Sequence, residues 1–403
     1  MAAPHDSSAP TSPVRADPSM DTHRIYFGRS RSQSILPQEI LDYILDFVDR
    51  EALCLCRLSS RTLLRRATQL IFRHIYVNKR RAAEMVEEFT QHSYKASAVF
   101  QLTFYSSPIS RIEAVHLDQY TAIMSCLPNV QRFSIQDQVW KTPEARVVPF
   151  QGFSAANNVT EVSFTSVLFR SPVHFLSLVN AFPKLRELSM NGVFWETESF
   201  QSYDAMHPPF RPPPLHALNA RLTPVNLTTR LLIGDTVHKL ESAALEATTD
   251  MHSWWPIFEN GVVYDNMRKM TISNFTSHRA DGLPKLPKVP NLQTLALTGM
   301  LIRNRNARQL DHARYIMKTL ENIDSDSVEE LFLQFIRVGA KDIPLFSPDV
   351  WMPCLKQSKF ARLKRVVYTF VDESLTSVKG EITTRVMEAH ASLDKRILIE
   401  IIV

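Results

Sequence analysis

The chain has 403 residues, 44% of them hydrophobic and 22% charged, with a formal net charge of +5. That balance suits a folded chain, and the charge is too small and too dilute to imply nucleic acid by itself. The nine glycines come no closer than Gly282 and Gly299, which excludes a phosphate-binding glycine loop, a dinucleotide fingerprint and a nucleophile elbow, since each needs two or more glycines within about six residues.

No run of about 18 apolar residues occurs, so no transmembrane helix and no membrane partner are expected. The polar N-terminus, rich in Ser and Pro, lacks the apolar segment of a secretory signal. The cysteines are Cys54, Cys56, Cys126 and Cys354. Cys54 and Cys56 are expected to be buried as small hydrophobes, and the sparse usage points to a reducing compartment, cytoplasm or nucleus. No two of the 13 histidines lie within five residues, so metal-ligand spacing on a helix is absent. No catalytic residues, no cofactor and no metal are expected, and the chain reads as non-enzymatic.

Residues 1–34 have no apolar period and are expected to form a disordered tail. From Ile35 the character changes. Leu36, Ile40, Ile44 and Val48 recur every four residues, which predicts one apolar helix face. Pro37 and Glu39 suit the first turn of that helix. A second run, Ala52, Leu53 and Cys56, then Leu63, Leu64, Ala67, Leu70, Ile71 and Phe72, predicts one or two further helices. So few short helices bury little core, so they should dock onto something.

The stretch from Ile35 through Leu36-Pro37-Gln38-Glu39-Ile40 to Val48 resembles the start of an F-box. Ala52 to Arg61 is similar to its second half, and Leu70-Ile71-Phe72 to its closing apolar-aromatic pair. The style is that of the large fungal (mushroom-type) F-box families. The stretch departs from that pattern at Thr62, where Trp is frequent, and in a short turn near Asp49–Glu51. The resemblance implies a motif over residues 35–78 that docks a Skp-type adaptor and, through it, a cullin. The docking residues it implies are Leu36, Pro37, Ile40, Ile44, Val48, Leu53 and Leu58. Eight basic residues between Arg57 and Arg81 would complement an acidic adaptor.

Residues 79–403 read as a periodic array. An apolar position followed three and five residues later by mostly apolar ones returns nine times, from Val130 to Leu363, in steps of 25 to 36 residues. Apolar-x-x-apolar-x-apolar is a short strand with one side buried. A period of roughly 20–45 residues is the signature of a solenoid. The pattern is similar to irregular leucine-rich repeats, although the usual Asn ladder is largely missing and only Asn191 stands near its expected place. Helices are expected from Ser171-Pro172 to about Phe182 and from Asn306 to about Asn322, with long loops over 196–214 and 276–290. The last strand is expected from Ile397 to Val403.

The fold class expected is therefore α/β: a short N-terminal helical F-box motif followed by an irregular leucine-rich-repeat solenoid. The central outward position of each strand runs from Ser134, Ser163 and Ser189 to Phe332 and Val367. This row is uncharged, which does not suit a phosphate backbone, so no nucleic acid is expected. Phe332 and Val367 are the candidate contacts to a target protein. The function expected is that of a substrate-recognition adaptor of a Skp–cullin–F-box ubiquitin ligase, with the repeats binding an unknown target. The alternative is a repeat-based interaction scaffold with no ubiquitin-ligase role.

Overall fold

A computed structural model describes residues 36–106, 117–140, 153, 157–196, 213–223, 231–232, 236–246, 263–273, 286, 288–300, 312–336, 346–371, 379–391, 393 and 395–402. The expected disordered tail and most of the two expected long loops lie outside these residues. The chain divides into two compact units, Met1–Phe47 and Val48–Val403.

In the first unit the described element is helix α1 (Gln38–Leu45), preceded by Pro37 and carrying Glu39 in its first turn. Leu45 is its buried residue. Eight residues are too few for a helix to persist without tertiary contacts.

The second unit opens with α2 (Arg50–Ser59) and α3 (Arg61–Phe72). Asp49 caps α2 by accepting from the Ala52 amide at 2.8 Å. Ser60 ends α2 and starts α3, its hydroxyl accepting from the Thr62 amide at 3.3 Å. One polar residue thus breaks what would otherwise be a continuous helix. Strand β1 (His74–Val77) follows, then α4 (Lys79–Gln91), capped by Asn78, and α5 (Ser93–Ala98). Next come β2 (Gln101–Tyr105), α6 (Leu117–Cys126), β3 (Arg132–Trp140) and β4 (Glu161–Phe169). Helix α7 (Pro172–Asn180) leads to β5 (Glu187–Trp195), β6 (Ala217–Arg221), β7 (Ser242–Glu246), β8 (Lys269–Ser273) and β9 (Thr294–Met300). Helix α8 (His312–Asn322), β10 (Glu330–Ile336), α9 (Met352–Leu355), β11 (Arg365–Val371), α10 (Lys379–His390) and β12 (Leu398–Ile402) complete it.

All twelve strands are parallel and form one sheet in chain order, β1 to β12. This corrects the expected fold class. The chain is α/β, but its described residues show no clear N-terminal helical F-box motif and no solenoid. The reason is local. The sheet begins at His74, inside the stretch assigned to the motif, and α2 and α3 belong to the same compact unit as the sheet. The connections are also uneven, with described helices of eight or more residues in only some of them, so no single unit recurs along the sheet.

The core is built from in-register columns. Phe133, Val162, Leu188, Leu218, Ala243, Met270, Leu295, Leu331 and Val366 are paired neighbours from β3 to β11, each no more than 2% exposed. Each Leu-sized side chain buried this way contributes about 1.5–3 kcal/mol.

A second column is conformational. Asp137, Ser166, Gly192, Leu222 and Gly299 all have left-handed φ, between 45° and 75°. The first four directly follow one register row, Gln136, Thr165, Asn191 and Arg221. Each adds a residue that lets two outward positions pass before the next core position. Val162, Phe164, Val167 and Phe169 are all buried, while Ser166 between them is exposed. The extra residue is present in β3, β4 and β5 alike, so pairing resumes without a shift at Gln138, Val167 and Val193.

Asparagines at the turns tie successive strands together. Asn129 Nδ2 donates to the Ser97 carbonyl at 2.8 Å, Asn158 to Pro128 at 2.9 Å, and Asn291 to Asp265 at 2.8 Å. Asn266 donates to His238 in the same way. An asparagine ladder therefore exists, but it sits before the strands and not near Asn191.

One buried polar pair closes the C-terminal end of the core. The Tyr368 hydroxyl lies 2.8 Å from His390 Nε2, and His390 Nδ1 has no partner. With Nδ1 carrying the proton, Nε2 accepts from the hydroxyl. Burial pushes the His390 pKa down to about 4.

Two predictions follow from these columns. Ser166→Gly should raise stability by about 0.5–1 kcal/mol, because it relieves a left-handed φ at an exposed site. Gly192→Ala should lower it by about 1 kcal/mol; the added Cβ would meet its nearest atoms at 3.6 and 3.7 Å, so the cost is conformational and not steric. Urea midpoints at unchanged slope would read both. The lowered folded-state pKa of His390 means the unfolded chain binds the extra proton first. Its contribution is therefore full above pH 6.5 and is lost as the pH falls towards 4. His390→Gln, which can still accept from Tyr368, should reduce the fall in urea midpoint between pH 7 and pH 4.5 relative to the parent chain.

Candidate interaction surfaces

In the first unit, Leu36, Pro37, Ile40 and Ile44 are all exposed, the three hydrophobes at 43 to 47%. Tyr43 and Phe47 are exposed as well, their rings 5.0 Å apart, edge to face. In the second unit Val48 is half-buried, Leu53 is buried, and Leu58 is 83% exposed. Leu55 and Leu64 join Leu58 at the surface. Of the seven residues marked for docking, then, Leu53 is core, Val48 is partly so, and five face solvent. Sequence reasoning missed Tyr43, Phe47, Leu55 and Leu64. For Tyr43, Phe47 and Leu55 the signal was an apolar residue off the main helical stripe, whereas Leu64 stood within the predicted apolar run but was not marked for docking.

Large apolar side chains are left in water in each of the two units. Among the described residues sixteen are exposed, and eight of them lie between Leu36 and Leu64. Scattered apolar exposure is ordinary, but this concentration is not. Cys54 is exposed and Cys56 half-buried, which corrects the expectation that both are buried. Leu53 and Ile71 are buried where α2 packs against α3.

Charge is concentrated in the same part of the second unit. Residues 50–81 hold nine basic and one acidic residue, a net of +8, which leaves the rest of the chain at −3. Arg61, Arg65, Arg73, Arg80 and Arg81 are exposed. Spacing of about one helical turn puts Arg61 and Arg65 along one side of α3.

On the outward side of the sheet the expected row is real as a register: Ser134, Ser163, Ser189, Asn219, Ala244, Thr271, Ala296, Phe332 and Val367 are successive partners. Over β3–β7 it floors a groove of about 500 Å³ rimmed by Arg132, Glu161 and Glu187. Arg132 Nε and Glu161 Oε2 pair at 2.7 Å. Asn219 Oδ1 is buried at its base without a hydrogen-bond partner.

The two candidate target contacts fare differently. Val367 is 2% exposed, so it is packed in this structure and offers no contact area. Phe332 is half-buried under the Arg365 guanidinium, 5.6 Å above its ring. Arg365 also donates to Glu400, its Nε at 3.1 Å from Oε2, and lies 3.7 Å from Glu330. A planar cation held between two carboxylates fixes the cover over Phe332.

No group of three or more His, Cys, Asp or Glu side chains able to hold a metal occurs among the described residues. No described helix is long and apolar enough to cross a membrane. No protein-family model matches the chain, and no curated protein matches it.

Proposed function

We propose that this chain is a non-enzymatic recognition subunit of a Skp–cullin–F-box ubiquitin ligase in the cytoplasm or nucleus. Residues 36–64 dock a Skp-type adaptor and, through it, a cullin, and the outward rows of the sheet hold a target protein. The mechanism is positioning: the target's lysines are kept at high effective concentration near a ubiquitin-charged enzyme.

The observation that carries this reading is the exposure of large apolar side chains in each unit: Leu36, Ile40, Tyr43, Ile44 and Phe47 in the first, and Leu55, Leu58 and Leu64 in the second. Apolar residues left in water at this density need a partner to cover them. The +8 charge of residues 50–81 supports an acidic partner, because complementary charge speeds encounter and fixes register. The neutral outward row of the sheet supports a polypeptide target over a nucleic acid. The reading needs no separately folded motif. It needs only that the exposed side chains be free to be covered.

Ile40→Asp and Leu58→Asp change exposed positions, so each should leave the circular dichroism spectrum and thermal midpoint nearly unchanged. Each should weaken capture of the full chain by a purified Skp adaptor at least tenfold, about 1.4 kcal/mol or more. Failure of the parent chain to bind the adaptor would remove the ligase reading. It would leave an interaction scaffold that works through the sheet alone.

A further inference from the structure

We infer that the second unit carries a separate binding cleft, next to the starts of β11 and β12, for a polypeptide segment that joins an anionic side chain to a large apolar one. This site is independent of the adaptor reading and uses none of its residues.

The cleft has a volume of about 770 Å³, within the range of ~300–1,000 Å³ that holds a compact ligand. Its floor is apolar: Leu355, Phe360 and Leu363 are each no more than 5% exposed, with Leu393 and Ile397 beside them. Its rim is cationic, with Lys356, Arg362, Lys364 and Arg396 all exposed. Among the described residues Glu329 is the one acidic residue lining it, and Lys364 already pairs with Glu329 at 2.8 Å. Lys356 and Arg362 have no ion pair with any described residue.

The charge pattern of the sequence concentrates on the same segment that lines the cleft. Residues 356–365 contain five basic residues and no acidic one. With this segment and residues 50–81 set aside, the rest of the chain carries a net −8. The net positive charge is therefore concentrated in two short stretches, while basic and acidic residues elsewhere sum to a net negative charge.

The floor and the rim select different parts of one ligand. An anion alone would gain little from the half-exposed rim, where water screens the pair. An apolar group alone would leave Lys356 and Arg362 unanswered at the cleft edge. A segment carrying both would bury its apolar side chain against Phe360 and Leu363 and set its anion among the cations, the arrangement of an apolar interface centre with a polar rim. The anion has two sources, phosphoserine or clustered carboxylates. A single-stranded nucleic acid is the competing polyanion; with no exposed aromatic among the described lining residues on which bases could stack, the cleft favours a peptide.

The test uses the full chain and fluorescence anisotropy. The probe is a labelled peptide Glu-Glu-Ser-Phe-Glu-Glu, together with its phosphoserine form, its Phe→Ala form and a thymidine hexanucleotide. The cleft predicts binding of the Phe peptides, loss of at least fivefold in the Phe→Ala form, and weakening at high salt. The double variant Lys356→Glu and Arg362→Glu should weaken binding at least tenfold with its thermal midpoint unchanged. The same reversal at Arg314 and Lys379, exposed on α8 and α10, should not. Tighter binding of the phosphoserine form assigns phosphate as the anion, and equal binding assigns carboxylates. The inference fails if the parent chain binds neither Phe peptide. It fails equally if the Phe→Ala form or the hexanucleotide binds as tightly, or if the Lys356 and Arg362 reversal has no effect.

Discussion

In-register burial in one parallel sheet is the constraint on which everything else rests. A strand in this sheet cannot hide its inward side chains by itself. Leu188 is buried because Val162 and Leu218 stand on either side of it in the same row, and each of those depends on its own neighbours. Parallel strands also need a crossover after every strand, so every turn must return the chain to the same level. The turn asparagines do this by holding each turn to the carbonyl of the turn before, as Asn158 does to Pro128. The left-handed residues do it within the strands, since an extra residue is harmless only when the neighbouring strand has one too. Gly192 against Ser166 is that case. A slip of one residue in any strand would turn Phe164 or Met190 to the solvent side, so register is specified many times over.

Much of this was legible in the residues. The nine apolar-x-x-apolar-x-apolar segments are β3 to β11, and the outward row from Ser134 to Val367 was readable from the same alignment. Strands β1 and β2 were missed for a physical reason. His74–Val77 is four residues long and lies directly between two helices, so it carries neither the preceding turn nor the spacing that marks the others. Missing β1 led to the wrong fold class. Residues 50–72 read as part of a separate motif, when they sit in the same compact unit as the sheet. Burial was less legible than periodicity. The stripe of Leu36, Ile40 and Ile44 reads as an apolar face that must dock onto something, and all three are exposed, whereas Leu53, marked for docking with them, is buried. Periodicity finds the stripe but cannot say what covers it. Val367 fails in the same direction as Leu53: an outward position by register, it is nearly inaccessible.

The same constraint decides which parts are free to bind. Rows that must pack have no latitude, so recognition falls to segments outside them. Those segments are distinctive in chemistry. Residues 50–81 and 356–365 hold the excess positive charge of the chain, and the exposed Leu55, Leu58 and Leu64 lie within the first of them. Exposed apolar side chains supply affinity by leaving water, and the charges beside them supply speed and orientation. The sheet itself offers a neutral, hydroxyl-rich row, better suited to adaptable hydrogen bonding than to strong anchoring.

Hydrogen–deuterium exchange of the full chain, alone and with a purified Skp adaptor, tests this division most directly. Strands β3 to β5 should exchange slowly in both samples, because their amides belong to the packed sheet. Protection gained on adding the adaptor should fall within residues 36–64. Protection gained instead along the strands, with residues 36–64 unchanged, would contradict the account and make the sheet the adaptor's contact.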